Sequence, residues 1–494
     1  MRKPNPPRIV VIGAGIGGLC AAVRLAAKGC DVTVIDTHAA PGGKMRTLPS
    51  AAGPVDAGPT VLTMRHVLED VFAAAGTSLE DHVTLLPQPL LARHWWQDGS
   101  TLDLHADLDA TYAAIAAFAG SQAEADFRRF NRQSAQLYAA FDAPMMQAPR
   151  PQLARIALNA LTRPATWPAL LPGRTVTQHL ARSFHDPRLR QLFGRYATYV
   201  GGIPDYSPAV LSLIWRAEAQ GVWAVQGGMH RLARALADLA TAKGAAFHYG
   251  VTARKIESRN GQVTAVALSD GQTLKCDAVV FNGDPAALVA GLLGNAAQLA
   301  LPASASSPRS LSAHVWTFAA TPTGPDLALH NLFFASDPAL EFGPIAEGRP
   351  STESTLYICA QDRHTPTRPP GPERFQIILN AAPKSTPGDI DQCRTRTRTF
   401  PRLARFGLTF DPTPVDPSCT PPSGFAMLFP GSQGALYGRS PHGMLASFQR
   451  PGARTALRGL YLAGGGAHPG AGVPMAALSG QHAAEAIWKD RALT

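Results

Sequence analysis

Ile9-Val10-Val11-Ile12 is an unbroken β-branched run, the pattern of a strand buried on both faces of a parallel sheet. Gly13-Ala14-Gly15-Ile16-Gly17-Gly18 follows. From Ile16 to Lys28 small and apolar residues dominate, which predicts a helix packed tightly on that sheet and stopped by Gly29. Asp31-Val32-Thr33-Val34-Ile35 reads as a second strand, with Asp36 at its end. Further along, a helix is predicted from Arg231 to Lys243, a strand at Ala246-Phe247-His248-Tyr249 and an alternating strand from Val263 to Leu268. Asp277 to Phe281 reads as a buried strand that runs into Asn282-Gly283-Asp284. Near the C-terminus, Gly459-Leu460-Tyr461-Leu462-Ala463 predicts a short strand, and a helix runs from Ala476 to about Asp490. Strands alternating with helices make the fold class α/β.

The glycines carry the first chemistry. Gly13 permits a tight turn after the strand, Gly15 lets the backbone approach a pyrophosphate, and Gly18 lets the helix sit close to the strand. The helix N-terminus offers free N–H groups and partial positive charge to phosphates. Asp36 lies about 20 residues downstream, where an acid meets ribose hydroxyls. Strand, helix, second strand and terminal acid occur in the order that dinucleotide binding needs; the competing reading is a glycine-rich turn in another α/β unit. This loop alone does not separate NAD from FAD. A second glycine-rich segment, Gly464-Gly465-Gly466-Ala467-His468-Pro469-Gly470-Ala471-Gly472-Val473, lies between the last strand and helix. It has more glycine than packing requires and lets the backbone press against a flat ligand.

Composition narrows the class. The chain has 494 residues, 45% of them hydrophobic and 16% charged, enough for two or three domains and a large core. Its net charge of +10 could serve nucleic acid, an anionic membrane or an acidic substrate. No compact Lys/Arg run is interleaved with aromatics, so no nucleic-acid partner is expected. Cys20, Cys30, Cys276, Cys359, Cys393 and Cys419 show no CxxC spacing and no metal pattern with the histidines. Buried thiols, no metal site and a cytoplasmic setting are expected. No stretch is long and apolar enough to span a bilayer.

One stretch is unusual. From Ala143 to His185 there is no Asp or Glu, while Arg150, Arg155, Arg163, Arg174 and Arg182 are spread among Met145, Met146, Leu153, Ile156, Leu158, Leu161, Trp167, Leu170 and Leu171. Two readings stand: a segment lying at a membrane interface, or a basic helix packed on the core. Pro164, Pro168 and Pro172 predict several short helices. Arg394, Arg396, Arg398, Arg402 and Arg405 are read as a solvated face. His314, His364 and His442 are read as structural.

Pro41-Gly42-Gly43-Lys44 and Asp56-Ala57-Gly58-Pro59-Thr60 resemble segments of the amine oxidase and phytoene desaturase superfamily of flavoproteins. The segment from Gly464 to Val473, with its His468-Pro469-Gly470 core, is similar along its length to the C-terminal signature of bacterial-type carotenoid desaturases. The resemblance runs in order from Gly13 to Gly480. Gly434-Ala435-Leu436-Tyr437-Gly438-Arg439 and His442-Gly443 look most like the hydroxyneurosporene desaturases, also called methoxyneurosporene dehydrogenases or 1-hydroxycarotenoid 3,4-desaturases.

The resemblance implies a Rossmann-like FAD-binding domain assembled from 1–89, 224–285 and 426–494. It also implies a substrate- and membrane-associating helical region at 90–223 and an interleaved α+β substrate domain at 286–425. It places Gly43 near the flavin phosphates, where Lys44 or Arg46 would make the contact, and Gly58, Pro59 and Thr60 near the ring. Val251 would meet adenine through its backbone. Gly464, Gly465, His468, Pro469, Gly470, Gly472 and Val473 would line the isoalloxazine.

The implied activity is formation of the 3,4 double bond in acyclic carotenoids of the 1-hydroxy- or 1-methoxyneurosporene type. A hydride leaves for the flavin and a proton is lost. The proton acceptor stays open between an acid or histidine of the substrate domain and the reduced flavin itself. Oxygen or a membrane quinone would reoxidise the flavin. Peripheral association with an anionic membrane, at the cytoplasmic face of the inner membrane, is expected. Phytoene desaturation, redox-neutral carotenoid isomerisation and a flavin-less isoprenoid carrier of the Rab-escort kind are the alternatives. A mammalian-type amine oxidase is disfavoured, because Ala467-His468 stands where that type carries a flavin-linked cysteine.

Overall fold

The computed structural model describes residues 6–365, 367–368, 370–383 and 392–492, with the side chains of 392–394 and 492 left out. Cys393 and Arg394 of the sequence reading therefore lie outside the described side chains.

The predicted strand–helix–strand start is present as β1 (Arg8–Ile12), α1 (Ile16–Ala27) and β2 (Asp31–Asp36). Distant parts of the chain add α2 (His230–Ala242), β3 (Ala246–Tyr249), β4 (Ala278–Phe281), β5 (Leu460–Leu462) and α3 (Val473–Ala492). The five strands form one parallel sheet in the order β5-β4-β1-β2-β3. This is the doubly wound order, and direction reverses between β1 and β4. A ligand crevice is expected beyond the carboxyl ends of those two strands. Gly13 follows β1 there and Asn282 follows β4.

Glycine sets how closely the helices approach. A Cβ on Gly18 would lie 2.1 Å from Gly13 O, and one on Gly480 of α3 would lie 2.2 Å from Gly17 O of α1. The core around α1 joins Leu19, Val23 and Leu25 to Leu236 of α2 and to Leu478 and Ile487 of α3. The alternating Gln262–Leu268 strand is the middle of a separate three-stranded antiparallel sheet, with Ala253–Arg259 and Thr273–Lys275 beside it.

The rest of the chain builds a mixed sheet of eight strands. Ser312–Thr323 pairs antiparallel with Glu373–Ala381, and Leu90–Trp95 joins His330–Phe333 in parallel. A helix from Leu108 to Phe141, bent at Gly120 (φ 85°, ψ 173°), was not foreseen. It packs Phe127 and Phe130 against Phe193, Phe184 and Trp215.

The three prolines divide the acid-free stretch as expected, into Leu153–Leu161, Pro164–Thr166 and Trp167–Leu170. Ile156 is buried with Leu137, Phe141 and Met145. Leu153 (61% exposed), Leu158 (61%), Leu161 (68%), Trp167 (51%) and Leu171 (47%) stand out in solvent. Core packing therefore accounts for only one face of the stretch. No helix among the described residues is long and apolar enough to cross a membrane.

Candidate active site

The N-terminus of α1 is built to receive an anion. Its N-cap is Gly15, no side chain caps it, and its first turn holds no acid. The free N–H groups and the helix dipole thus face the crevice uncompensated. Gly42 N donates to Ala14 O at 2.8 Å, and a Cβ on Gly43 (φ 59°) would lie 3.2 Å from Gly15 Cα. A Cβ on Gly58 would lie 2.0 Å from Lys44 O. The three N-terminal glycine segments therefore meet.

Asn282 ties them to the C-terminal segment. Its Nδ2 donates to Gly13 O at 3.1 Å, and its Oδ1 lies 2.7 Å from where a Cβ on Gly17 or Gly464 would be. Gly464 N donates to Ser479 Oγ at 2.7 Å. Beyond this tight junction the glycines open out. A Cβ on Gly470 (φ 150°) would come no closer than 3.7 Å to protein, and one on Gly472 (φ 108°) would meet nothing within 4 Å.

Both line a cavity of about 980 Å³, together with Pro59, Thr60, Pro469 and Val473. Its remaining walls are largely apolar and include Tyr138, Phe141, Met145, Leu180, Ile214, Phe334 and Phe448. Polar groups on the wall include Gln191, Arg195, Glu341 and Asn380, and Thr60, whose Oγ1 meets Tyr357 OH at 2.6 Å; Tyr357 OH in turn meets His330 Nδ1 at 2.7 Å.

Buried positive charge gathers beside the glycines. Lys44 Nζ donates to Leu436 O at 2.6 Å, and burial pulls its pKa down to about 8. Arg450 donates to Gly465 O at 2.8 Å and to Tyr437 O and Arg439 O at 2.9 Å; burial pulls it down to about 10. Arg309 pairs with Asp284, whose charge also supports Lys44 and Arg450. Three cations thus share one carboxylate. An uncapped helix terminus, surplus buried positive charge and open space above Gly470 and Gly472 fit FAD, which carries two phosphates and a flat ring.

Not every residue of the sequence reading points at this space. Asp36 Oδ2 accepts from Ala14 N at 2.7 Å, and Oδ1 accepts from His38 N at 2.8 Å and contacts His38 Nδ1 at 2.9 Å. The acid therefore braces the glycine loop. Val251 N donates to Asp36 O at 3.0 Å, next to that acid. Arg46 turns to Thr420 Oγ1 at 3.0 Å and lies 5.9 Å from the Phe425 ring. His468 is buried, its Nε2 contacts Ala148 O at 2.9 Å, and it stacks on His482. Its ring serves the protein, and the lining of the cavity begins at the next residue, Pro469. Asn282, Ser479, Arg450 and Tyr357 were not singled out. Asn282 could have been, as the polar residue directly after a buried strand; the others sit in no pattern.

Residues 16–353 match the family of flavin containing amine oxidoreductases. The sequence is 62% identical to the hydroxyneurosporene desaturase of Cereibacter sphaeroides, over 98% of both chains. The chain belongs to the hydroxyneurosporene desaturase family. The corresponding protein of Rhodobacter capsulatus is 56% identical over the same shares of the two chains. Among solved structures, a putrescine oxidase bound to putrescine superimposes with a TM-score of 0.60 over 98% of this chain and 99% of its own, at 12% identity. That likeness shows the shared fold alone. This desaturase is an FAD-dependent oxidoreductase that acts on the carbon–carbon bonds of a carotenoid.

Proposed function

We propose that this desaturase forms the 3,4 double bond of acyclic carotenoids of the 1-hydroxy- or 1-methoxyneurosporene type. The observation that carries the reading is a cavity of about 980 Å³ whose walls are largely apolar and whose floor is the open glycine segment from Pro469 to Val473. A hydrocarbon offers no carbonyl or amine to activate, so the site must position it and exclude water rather than supply a strong acid–base pair.

Bound FAD would supply the two-electron acceptor. Gly13, Gly15, Gly18 and the α1 N-terminus would hold its pyrophosphate, with Gly43 and Lys44 alongside. Asp36 and Val251 mark the ribose and adenine end. Gly58, Pro59, Thr60, Gly464, Gly465, Gly470, Gly472 and Val473 would frame the ring. Arg46 and His468 would contribute by bracing these segments. The nucleotide domain would comprise 1–89, 224–285 and 426–494, and 90–223 and 286–425 would handle substrate. A membrane quinone or oxygen would take the electrons onward.

The acid-free stretch supports a position at a membrane surface. Leu153, Leu158, Leu161, Trp167 and Leu171 are exposed beside Arg155, Arg163 and Arg174, which suits an anionic bilayer surface. Met145 and Met146, at the start of the same stretch, line the cavity. A polyene could then pass from lipid to cavity without crossing bulk water. These features support our reading of the protein as peripheral, on the cytoplasmic face of the inner membrane. It should sediment with anionic vesicles and be released by salt; no binding at low salt contradicts the placement.

The reading is tested by giving the holoenzyme 1-hydroxyneurosporene, neurosporene or phytoene in liposomes with an electron acceptor. The hydroxylated compound should lose two hydrogens at the 3,4 position. Conversion of phytoene alone, or an isomer of unchanged mass, contradicts it.

A further inference from the structure

The largely apolar cavity wall carries several polar groups, among them the buried Glu341–Asn380 pair and a cluster around Thr60. Thr60, Tyr357, Arg195 and Tyr199 all line the cavity. Thr60, Tyr357 and His330 form a hydrogen-bonded chain. Burial, with the nearby Arg195 charge, pulls His330 down to about 3, so it is neutral at physiological pH. Its one ring contact is with Tyr357, and its Nε2 has no partner. A tyrosine hydroxyl has one proton and two acceptor sites, as does threonine. In either tautomer of His330, the Thr60 hydroxyl keeps hydrogen-bonding capacity that no protein atom uses.

Arg195 supplies the complementary group. It is 8% exposed and lies 5.0 Å from the rings of both Tyr196 and Tyr199. Those two phenols donate to Glu218 at 2.6 and 2.9 Å, so a carboxylate balances the guanidinium nearby. The Arg195 Nε–H has no partner. An unmade hydrogen bond on a buried charged group is costly, and a ligand that completes it is favoured accordingly.

The cluster and the glycine floor line the same cavity. Thr60 is two residues from Gly58, which abuts Lys44; Lys44 feels the charge of Arg450, and Arg450 donates to Gly465 O. In a 1-hydroxycarotenoid only C2 and C3 separate the hydroxyl-bearing carbon from C4. The hydroxyl and the reacting bond must therefore occupy the same few ångströms. A polar cluster outside this cavity could not read that hydroxyl, whereas this one shares the cavity with the floor.

We infer that Thr60, backed by Tyr357 and His330, together with Arg195, forms the subsite that binds the C1 oxygen of the substrate and so sets the reacting bond at C3–C4. The inference rests on the proposed 3,4-desaturation. Thr60 binds the hydroxyl proton or oxygen, and the Arg195 Nε–H donates to the oxygen. Tyr357 and His330 act as positioning residues through Thr60.

The test compares 1-hydroxyneurosporene with neurosporene, by kcat/KM and by equilibrium binding to the holoenzyme with its flavin held reduced. The wild-type protein should prefer the hydroxylated compound on both measures; no preference overturns the proposed substrate class and this subsite with it. In Thr60→Val and in Tyr357→Phe the preference should fall about tenfold, the worth of one neutral hydrogen bond. Thr60→Ser should keep it. Each variant is first checked for retained flavin, and either one alone suffices for the comparison. A preference unchanged in a variant that holds flavin, or equal losses on both substrates, overturns the subsite while leaving 3,4-desaturation intact.

Discussion

Asn282 joins two ends of the chain that lie far apart in sequence: its Nδ2 donates to Gly13 O at 3.1 Å, directly beneath the glycine loop. Its Oδ1 faces Gly17 and Gly464 as well. Asn282→Ala should leave Gly13 O without this partner and loosen the junction between the Gly13–Gly18 loop and the Gly464 segment. The expected cost is about 1–3 kcal/mol of stability, with faster loss of flavin. Thermal melting of holo- and flavin-free protein checks this. An unchanged melting point and flavin half-life would show that Asn282 is incidental.

Glycines of two kinds should behave differently on substitution. Gly18→Ala places a Cβ 2.1 Å from Gly13 O, so the α1–β1 contact must open and the protein should fold poorly or not at all. Gly470→Val meets no close protein atom, although its φ of 150° adds some strain. That variant should fold and lose the yellow colour. Circular dichroism and the flavin-to-protein ratio separate the two outcomes. Full flavin content in folded Gly470→Val would contradict the placement of the ring.

Lys44 should make cofactor binding pH-dependent. In the flavin-free protein, burial holds its pKa at about 8 against an ordinary 10.5. Between those values the unfolded chain binds more protons, so flavin-free stability should rise with pH across that window. A phosphate beside Lys44 favours the charged form. FAD affinity should therefore fall as pH rises through about 8. Flavin fluorescence titrations from pH 7 to pH 9.5 read this out. Lys44→Met should bind FAD more weakly at pH 7 and show a flatter profile. An identical slope in that variant would remove Lys44 from the phosphate site.

Elements with strong local patterns were legible from sequence. β1, α1, β2, α2 and the C-terminal strand and helix all appeared close to their predicted bounds, because β-branched runs and small-residue helices leave few alternatives. The three short helices after Ala143 were legible because proline has a fixed local effect. The helix from Leu108 to Phe141 escaped because its apolar positions are diluted by alanine and broken at Gly120. The sequence also could not show side-chain direction. Arg46 and His468 sit within strong motifs yet point at Thr420 and Ala148. Arg195, Tyr357 and Arg450 carry no motif. Tertiary folding alone brings them to the cavity.

The central claim is that a carotenoid gives up two electrons to FAD in the cavity above the C-terminal glycines. The most direct measurement is anaerobic mixing of the holoenzyme with 1-hydroxyneurosporene in liposomes, followed by flavin absorbance and product mass. The account predicts flavin bleaching matched by an equal amount of product two hydrogens lighter. Product formed without bleaching, or bleaching without loss of hydrogen from the carotenoid, would contradict it.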